Sequence, residues 1–288
     1  MKMKMKKMFC CSILMTLMNN SYANQALGNI EYDERGLPIV NVIINSNSHK
    51  LMLDTGSGMG LHIIEESLFA LISDAKYQAK KEKPYKSSDI DGNIKLTETW
   101  TLQNLTVSEG IFNDVGVVKL EPWGWSVGDN LPESEVMGLG LFDKRIMLMD
   151  FKNNFLGLLS ELPGNISEWE AYSLKDTSAG LVISALKGKN NLSFILDTGA
   201  SYSFIFSESI PKNTSVYGCD KIEPKALPTD CDTTAVLLTN SDGNKKEEFA
   251  YIIDTPKHDE FDGLIGMSFL RGRETILDRH TSTLYIRR

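Results

Sequence analysis

GLPIVNVIINSNSHKLMLDTGSG runs from Gly36 to Gly58, and GLVISALKGKNNLSFILDTGAS runs from Gly180 to Ser201. Each stretch is an apolar, β-rich segment, a polar turn, a second apolar segment and then Leu-Asp-Thr-Gly. Apolar runs of this length bounded by turn residues read as strand–turn–strand units, each ending in a loop. The chain therefore carries an internal repeat of long period.

A second pair of segments matches without gaps. EVMGLGLFDKRIMLMDFKNNFLGL (135–158) lies on GLIGMSFLRGRETILDRHTSTLYI (263–286), so that Gly138 falls on Gly266, Asp150 on Asp278 and Leu156 on Leu284. Both copies end as two strands around a polar turn, Lys152–Asn154 and His280–Ser282. The order of strand, Asp-Thr-Gly loop, middle strands, apolar-apolar-Gly and closing hairpin thus occurs twice. Pro163, Gly164 and alternating acids make Leu162–Asp176 read as a linker. The expected division is 1–23, 24–164 and 165–288. A helix is expected near His62–Lys76, where Ile64, Leu68, Leu71, Ile72 and Ala75 recur at helical spacing. Asn93–Trp100, Ile111–Leu120 and Thr233–Leu238 read as strands, which makes the predicted class all-β with small helices.

Two loops with one aspartate each suit one kind of chemistry. Two carboxyl groups held about 3 Å apart cannot both ionise comfortably, so they share a proton. The charged one can take a proton from an attacking water while the other hydrogen-bonds the substrate carbonyl. Asp54 and Asp197 are the candidates. Gly56 and Gly199 permit tight turns that bring backbone N–H groups to the carboxylates. Thr55 and Thr198 offer short hydroxyls for bonds across the interface, and Ser57 offers one to Asp54. Asp and Gly are common turn residues, and a lone Asp-Thr-Gly is weak evidence. Two copies, each behind an apolar strand and ahead of a matching Gly segment, are much stronger.

At these residues the chain resembles the pepsin-like and retropepsin-like aspartic proteases. The specific motifs are Asp54-Thr55-Gly56-Ser57, Asp197-Thr198-Gly199-Ala200-Ser201, Val136-Met137-Gly138 and Leu264-Ile265-Gly266. The resemblance implies two β-barrel-like lobes with a cleft between them, and apolar-apolar-Gly segments that thread behind the catalytic loops. It implies an endopeptidase acting on peptides or unfolded protein without metal or cofactor, and sensitivity to pepstatin-type inhibitors. With both aspartates in one chain, a monomer is expected to suffice. The lobe-one hairpin over the cleft should turn at Asp91-Gly92-Asn93, and Tyr85 lies several residues too early for the tyrosine that pepsins carry beside that tip. The alternative is an inert pepsin-like protein that binds a peptide or protein in its cleft, although an inert binder has no need of two complete triplets.

Composition is that of a globular protein, 42% hydrophobic and 24% charged over 288 residues. Lys2, Lys4, Lys6 and Lys7, the apolar run Met8–Met18 and the small residues Ser21 and Ala23 read as a signal peptide cut after Ala23. The expected location is periplasmic or extracellular. Losing those four lysines takes the formal charge from −8 to −12, which disfavours nucleic acid. No later stretch is long and apolar enough for a membrane span. Cys219 and Cys231 then remain, and an oxidising compartment favours a disulfide between them over a metal site. Trp123 and Trp125 could line a substrate subsite or tuck a surface loop onto the first lobe.

Overall fold

The computed structural model describes residues 24–88, 94–121, 134–222 and 231–288. The signal-peptide residues, the turn at Asp91-Gly92-Asn93 and the Trp123–Trp125 segment lie outside the described residues.

The two repeated hairpins are Pro38–Ile44 with Asn47–Asp54, and Gly180–Lys187 with Asn190–Leu196. Both are antiparallel pairs leading straight into an Asp-Thr-Gly loop. The first turns at Asn45 and Ser46, both at positive φ, the geometry that matches the right-handed twist of a two-residue hairpin. The segments that continue these strands are buried from Leu51 to Asp54 and from Phe194 to Leu196.

Each apolar-apolar-Gly segment becomes a strand wedged between two others. Glu135–Gly138 runs parallel to Asn47–Asp54, with Gly138 opposite Asp54, and antiparallel to Leu61–Ile63. Gly263–Ile265 runs parallel to Asn190–Leu196 and antiparallel to Phe204–Phe206. The chain thereby enters and leaves each aspartate loop on the two sides of one central strand.

The closing hairpins meet in a six-stranded antiparallel sheet. Its order is Gln25–Tyr32, Phe155–Leu159, Ile146–Asp150, Glu274–Asp278, Thr283–Arg287 and Trp169–Thr177. At its middle Leu148 faces Ile276, the two residues that the repeat alignment equates. Equivalent residues facing each other across an antiparallel pair is what a local two-fold axis produces. The turns match as well: Asn154 and Ser282, also equivalent, both take positive φ. The structure is thus all-β with small helices.

Two expectations shift. The helix spans Glu65–Ser73 and not His62–Lys76. Leu61–Ile63 is taken by the sheet, and beyond Ser73 the Asp74 carboxylate accepts the Lys76 amide and opens a separate 3₁₀ turn. Leu68 and Leu71 are buried, whereas Ile64 is largely exposed. Most of the supposed linker is also ordered sheet. Trp169–Thr177 forms the edge of the six-stranded sheet and buries side chains on both faces, Trp169 in one cluster and Tyr172 with Leu174 in another, while Ser173, Lys175 and Asp176 are exposed. Its polar positions interrupt the apolar ones without a clean alternation, which is how it came to read as a linker.

Candidate active site

The two Asp-Thr-Gly loops meet tip to tip, and the threonines join them. Thr55 N–H donates to Thr198 Oγ1 at 3.0 Å, and Thr198 N–H donates to Thr55 Oγ1 at 3.0 Å. Each hydroxyl then donates across to the other half of the chain, Thr55 Oγ1 to the Leu196 carbonyl at 2.8 Å and Thr198 Oγ1 to the Leu53 carbonyl at 2.7 Å. These four bonds are fully buried, where hydrogen bonds are strongest and least exchangeable with water.

This lattice presses the carboxyl groups of Asp54 and Asp197 together, close enough to hydrogen-bond each other. Gly56 and Gly138 show why glycine is needed. A Cβ on Gly56 would lie 2.7 Å from Asp197 Cγ, and one on Gly138 would lie 2.3 Å from the Met59 carbonyl oxygen. Backbone donors reach both acids: Gly56 and Ser57 N–H give 2.8 and 3.1 Å bonds to Asp54 Oδ1, and Gly199 N–H gives a 2.7 Å bond to Asp197 Oδ1.

Burial raises the pKa of both carboxyl groups. For Asp54, which is 4% exposed, the charge of Asp197 adds to burial and the shift is well upward. For Asp197, the hydrogen bonds from Asp54, Gly199 and Gly56 oppose part of the rise. A pair that resists full ionisation and has one hydrogen bond between its members holds a shared proton.

The remaining site residues sit around this pair. Leu139 N–H donates to the Ser57 carbonyl and Met267 N–H to the Ala200 carbonyl, both at 2.8 Å, so each apolar-apolar-Gly strand ties into its loop at the same place. Val136, Met137 and Ile265 are buried behind the loops, and Leu264 is partly so. Ala200 brings no hydroxyl, and Ser201 follows it, half-buried. Cys219 and Cys231 are joined, with Cα atoms 5.5 Å apart, away from the loops in sequence.

Ser57 departs from expectation. Its hydroxyl bonds His62 Nε2 at 2.8 Å, and its link to Asp54 runs through the amide. His62 lies on the strand that leaves the first loop, and burial pushes its pKa down to about 4. The second loop is braced differently. Ser203 and Ser268 hydroxyls both donate to Glu248 Oε1, at 2.8 and 2.6 Å, and Gly266 N–H donates to Ser203 Oγ at 3.1 Å. Sequence reasoning missed His62 and Glu248. His62 read as the start of a helix, Glu248 as one of several charged residues in a run, and nothing marked their partners. It also gave Tyr85 no role. Tyr85 opens the strand Tyr85–Ser88 and lies near enough for the charge of Asp54, after burial, to raise its phenol. Among the described residues no group of acids, histidines and cysteines could hold a metal ion.

No sequence model of a known family matches the chain, and no curated protein does. Solved structures do. Basic 7S globulin from soybean is similar with a TM-score of 0.59 at 11% identity, over 91% of this chain and 94% of the globulin. The aspartic proteinase from Irpex lacteus is similar with a TM-score of 0.52 at 12% identity, over 91% of this chain and 96% of the proteinase. Conglutin gamma, a basic 7S globulin from lupine seeds, gives 0.53 at 10% identity, over 92% and 95%. At such identities the likeness shows the fold, which is pepsin-like. The three neighbours differ in name and share that fold, so function rests on the site itself.

Proposed function

We propose that the protein is an aspartic endopeptidase that hydrolyses peptide bonds in extended or unfolded protein. The observation that carries this reading is the meeting of two complete Asp-Thr-Gly loops, with both carboxyl pKa values raised and the carboxyl groups bonded to each other. With one proton on the pair, the ionised carboxylate takes a proton from a water molecule as that water attacks the scissile carbonyl. The protonated partner hydrogen-bonds the carbonyl oxygen and stabilises the charge that develops there. As the tetrahedral intermediate collapses, a carboxyl group returns a proton to the leaving amine. The backbone N–H groups of Gly56, Ser57 and Gly199 hold the carboxylates in place through these transfers.

Both halves of the dyad belong to one chain, so a monomer suffices, and the export signal at residues 1–23 directs it to the periplasm or the cell exterior. The test is to incubate the purified protein with a denatured protein mixture, with and without pepstatin, beside Asp54→Asn and Asp197→Asn. Pepstatin-sensitive fragmentation by the wild type alone is the expected result. Binding of peptides or pepstatin with no fragments at any pH from 3 to 8 would overturn it in favour of an inert cleft.

A further inference from the structure

We propose that His62 is a positioning residue: its Nε2 holds the Ser57 hydroxyl proton and so withholds from Asp54 a hydrogen bond that would stabilise its carboxylate. This rests on the dyad reading above. The geometry is short and specific. Ser57 stands three residues beyond Asp54, and its amide already donates to Asp54 Oδ1 at 3.1 Å. The single proton of the Ser57 hydroxyl can go to one acceptor at a time, and a proton given to the imidazole is not offered to the neighbouring carboxylate. The contact the structure shows is to the imidazole, at 2.8 Å.

A hydroxyl can donate to Nε2 only when that nitrogen is unprotonated. The surroundings of His62 favour the neutral ring. Across the sheet its partners are Val118 and Val136. The ionisable residues on those two strands are engaged elsewhere, Lys119 with Glu65, and Glu135 with His49 and the Ile64 amide. Beyond Ser57 stand Asp54 and Asp197, with Tyr85 near Asp54. Burial holds the imidazole neutral until strongly acid pH, and in the tautomer that carries its proton on Nδ1 the Nε2 atom accepts from the Ser57 hydroxyl.

The consequence is a dyad without a side-chain hydroxyl donor from either Ser57 or Ala200. Hydrogen bonds to the charged form depress a carboxyl pKa, and withholding one keeps the pair half-protonated at higher pH. His62 thus moves the working range of the site towards neutral without touching substrate.

The test reads the dyad directly, through the carboxyl ¹³C signals of labelled aspartate in the full mature protein, so that it does not depend on turnover. Four proteins are compared: wild type, His62→Phe, Ser57→Ala and the double variant. His62→Phe frees the hydroxyl and should lower the dyad's first apparent pKa by about one unit, the scale of one bond to a charged group. Ser57→Ala should leave it in place, and the double variant should return it to the wild-type value. A purely structural role for His62 would not be reversed by a second substitution. The ¹⁵N signal of His62 Nε2 should report an unprotonated acceptor at pH 6. A protonated Nε2 at that pH, or a Ser57→Ala variant whose dyad pKa rises, would overturn the proposal, and both measurements stand even if His62→Phe fails to fold. A dyad that behaves as described in a protein that cuts no peptide would sink the proposed function and leave this inference intact. Peptide cleavage by a protein whose dyad pKa rises in Ser57→Ala would do the reverse.

Discussion

The two Asp-Thr-Gly loops share a backbone and differ in what braces it. In both, a strand enters from a hairpin, an apolar-apolar-Gly strand passes behind, and the threonine bonds across to its counterpart. Past the triplet the backbone ties still match, and the side-chain supports differ. The first loop has Ser57 held by His62. The second has Ala200, and its support comes from Ser203 and Ser268 gathered on the buried carboxylate of Glu248. The difference separates what the chemistry needs twice from what each half solved for itself. Two facing acids require the same aspartate, threonine and close-approach glycines on both sides. The second layer need only hold each loop still, and a histidine–serine contact or a carboxylate with two serines can do that.

The largest effect should come from the part that is symmetric. Asp54→Asn and Asp197→Asn should each lower kcat/KM by about a thousand-fold or more, since each removes half of an acid–base unit. Near-normal turnover in either would break the equivalence of the loops. Stability should move the other way. Asp54 has a raised carboxyl pKa, so its favourable contribution is present below the ordinary carboxyl range and is lost as pH rises through the raised value. Asp54→Asn should therefore raise Tm at pH 7 and change it little near pH 3, which thermal unfolding at the two pH values would show.

The symmetric part was also the legible part. The repeat in sequence is the repeat in space, down to Leu148 facing Ile276. A repeated apolar strand and a triplet are local patterns, and a pattern seen twice in the same order constrains topology. The supports were hidden because they pair residues far apart in the chain. Glu248 meets Ser203 across 45 positions, and no periodicity announces that. Ser57 was read as a donor to Asp54 because His62, only five residues on, reads as the start of a helix when the strand Leu61–Ile63 is not known. Trp169–Thr177 misled because its polar positions hid apolar side chains buried on both faces, Trp169 on one and Tyr172 with Leu174 on the other.

Next in size come the asymmetric devices of the second half. Cys219 and Cys231 close a loop of 12 positions. Replacing both by serine should cost about 2–3 kcal/mol in urea unfolding, chiefly by freeing the unfolded chain. An unchanged midpoint would mean that the bridge constrains nothing.

Glu248 should follow at about 2 kcal/mol. Glu248→Ala leaves the hydroxyls of Ser203 and Ser268 without their buried acceptor, and bonds to a charged group are worth about 1.5–3 kcal/mol. Glu248→Gln keeps an acceptor oxygen and should cost less. Burial raises the pKa of Glu248 above its ordinary value, so the wild type loses stability as pH rises through that raised value. The deficit of Glu248→Gln should accordingly shrink between pH 4 and pH 7. A deficit that grew over that interval would show that the carboxylate, and not its protonated form, is what the pocket prefers.

The smallest effect bears most directly on the contrast between the loops. Ala200 stands where Ser57 stands in the first loop, and Ile205 stands where His62 does. A hydroxyl placed at position 200 would have no imidazole to capture its proton, so it would be free to donate to Asp197. Ala200→Thr should lower the dyad's apparent pKa and shift the acid limb of the pH–rate profile towards acid by up to about one unit. The wild type should work best at mildly acidic to near-neutral pH, because burial raises both carboxyl pKa values and the pair keeps its one proton there. The matched change on the other side, Ser57→Ala, should leave the limb where it is, since that hydroxyl is already engaged with His62. Equal and opposite shifts from the two substitutions would mean that Ser57 serves Asp54 after all, and that the loops are more alike than their supports. A strongly acid optimum unmoved by Ala200→Thr would mean that the hydroxyl of Ser201 or a solvent molecule already fills the donor's place at Asp197.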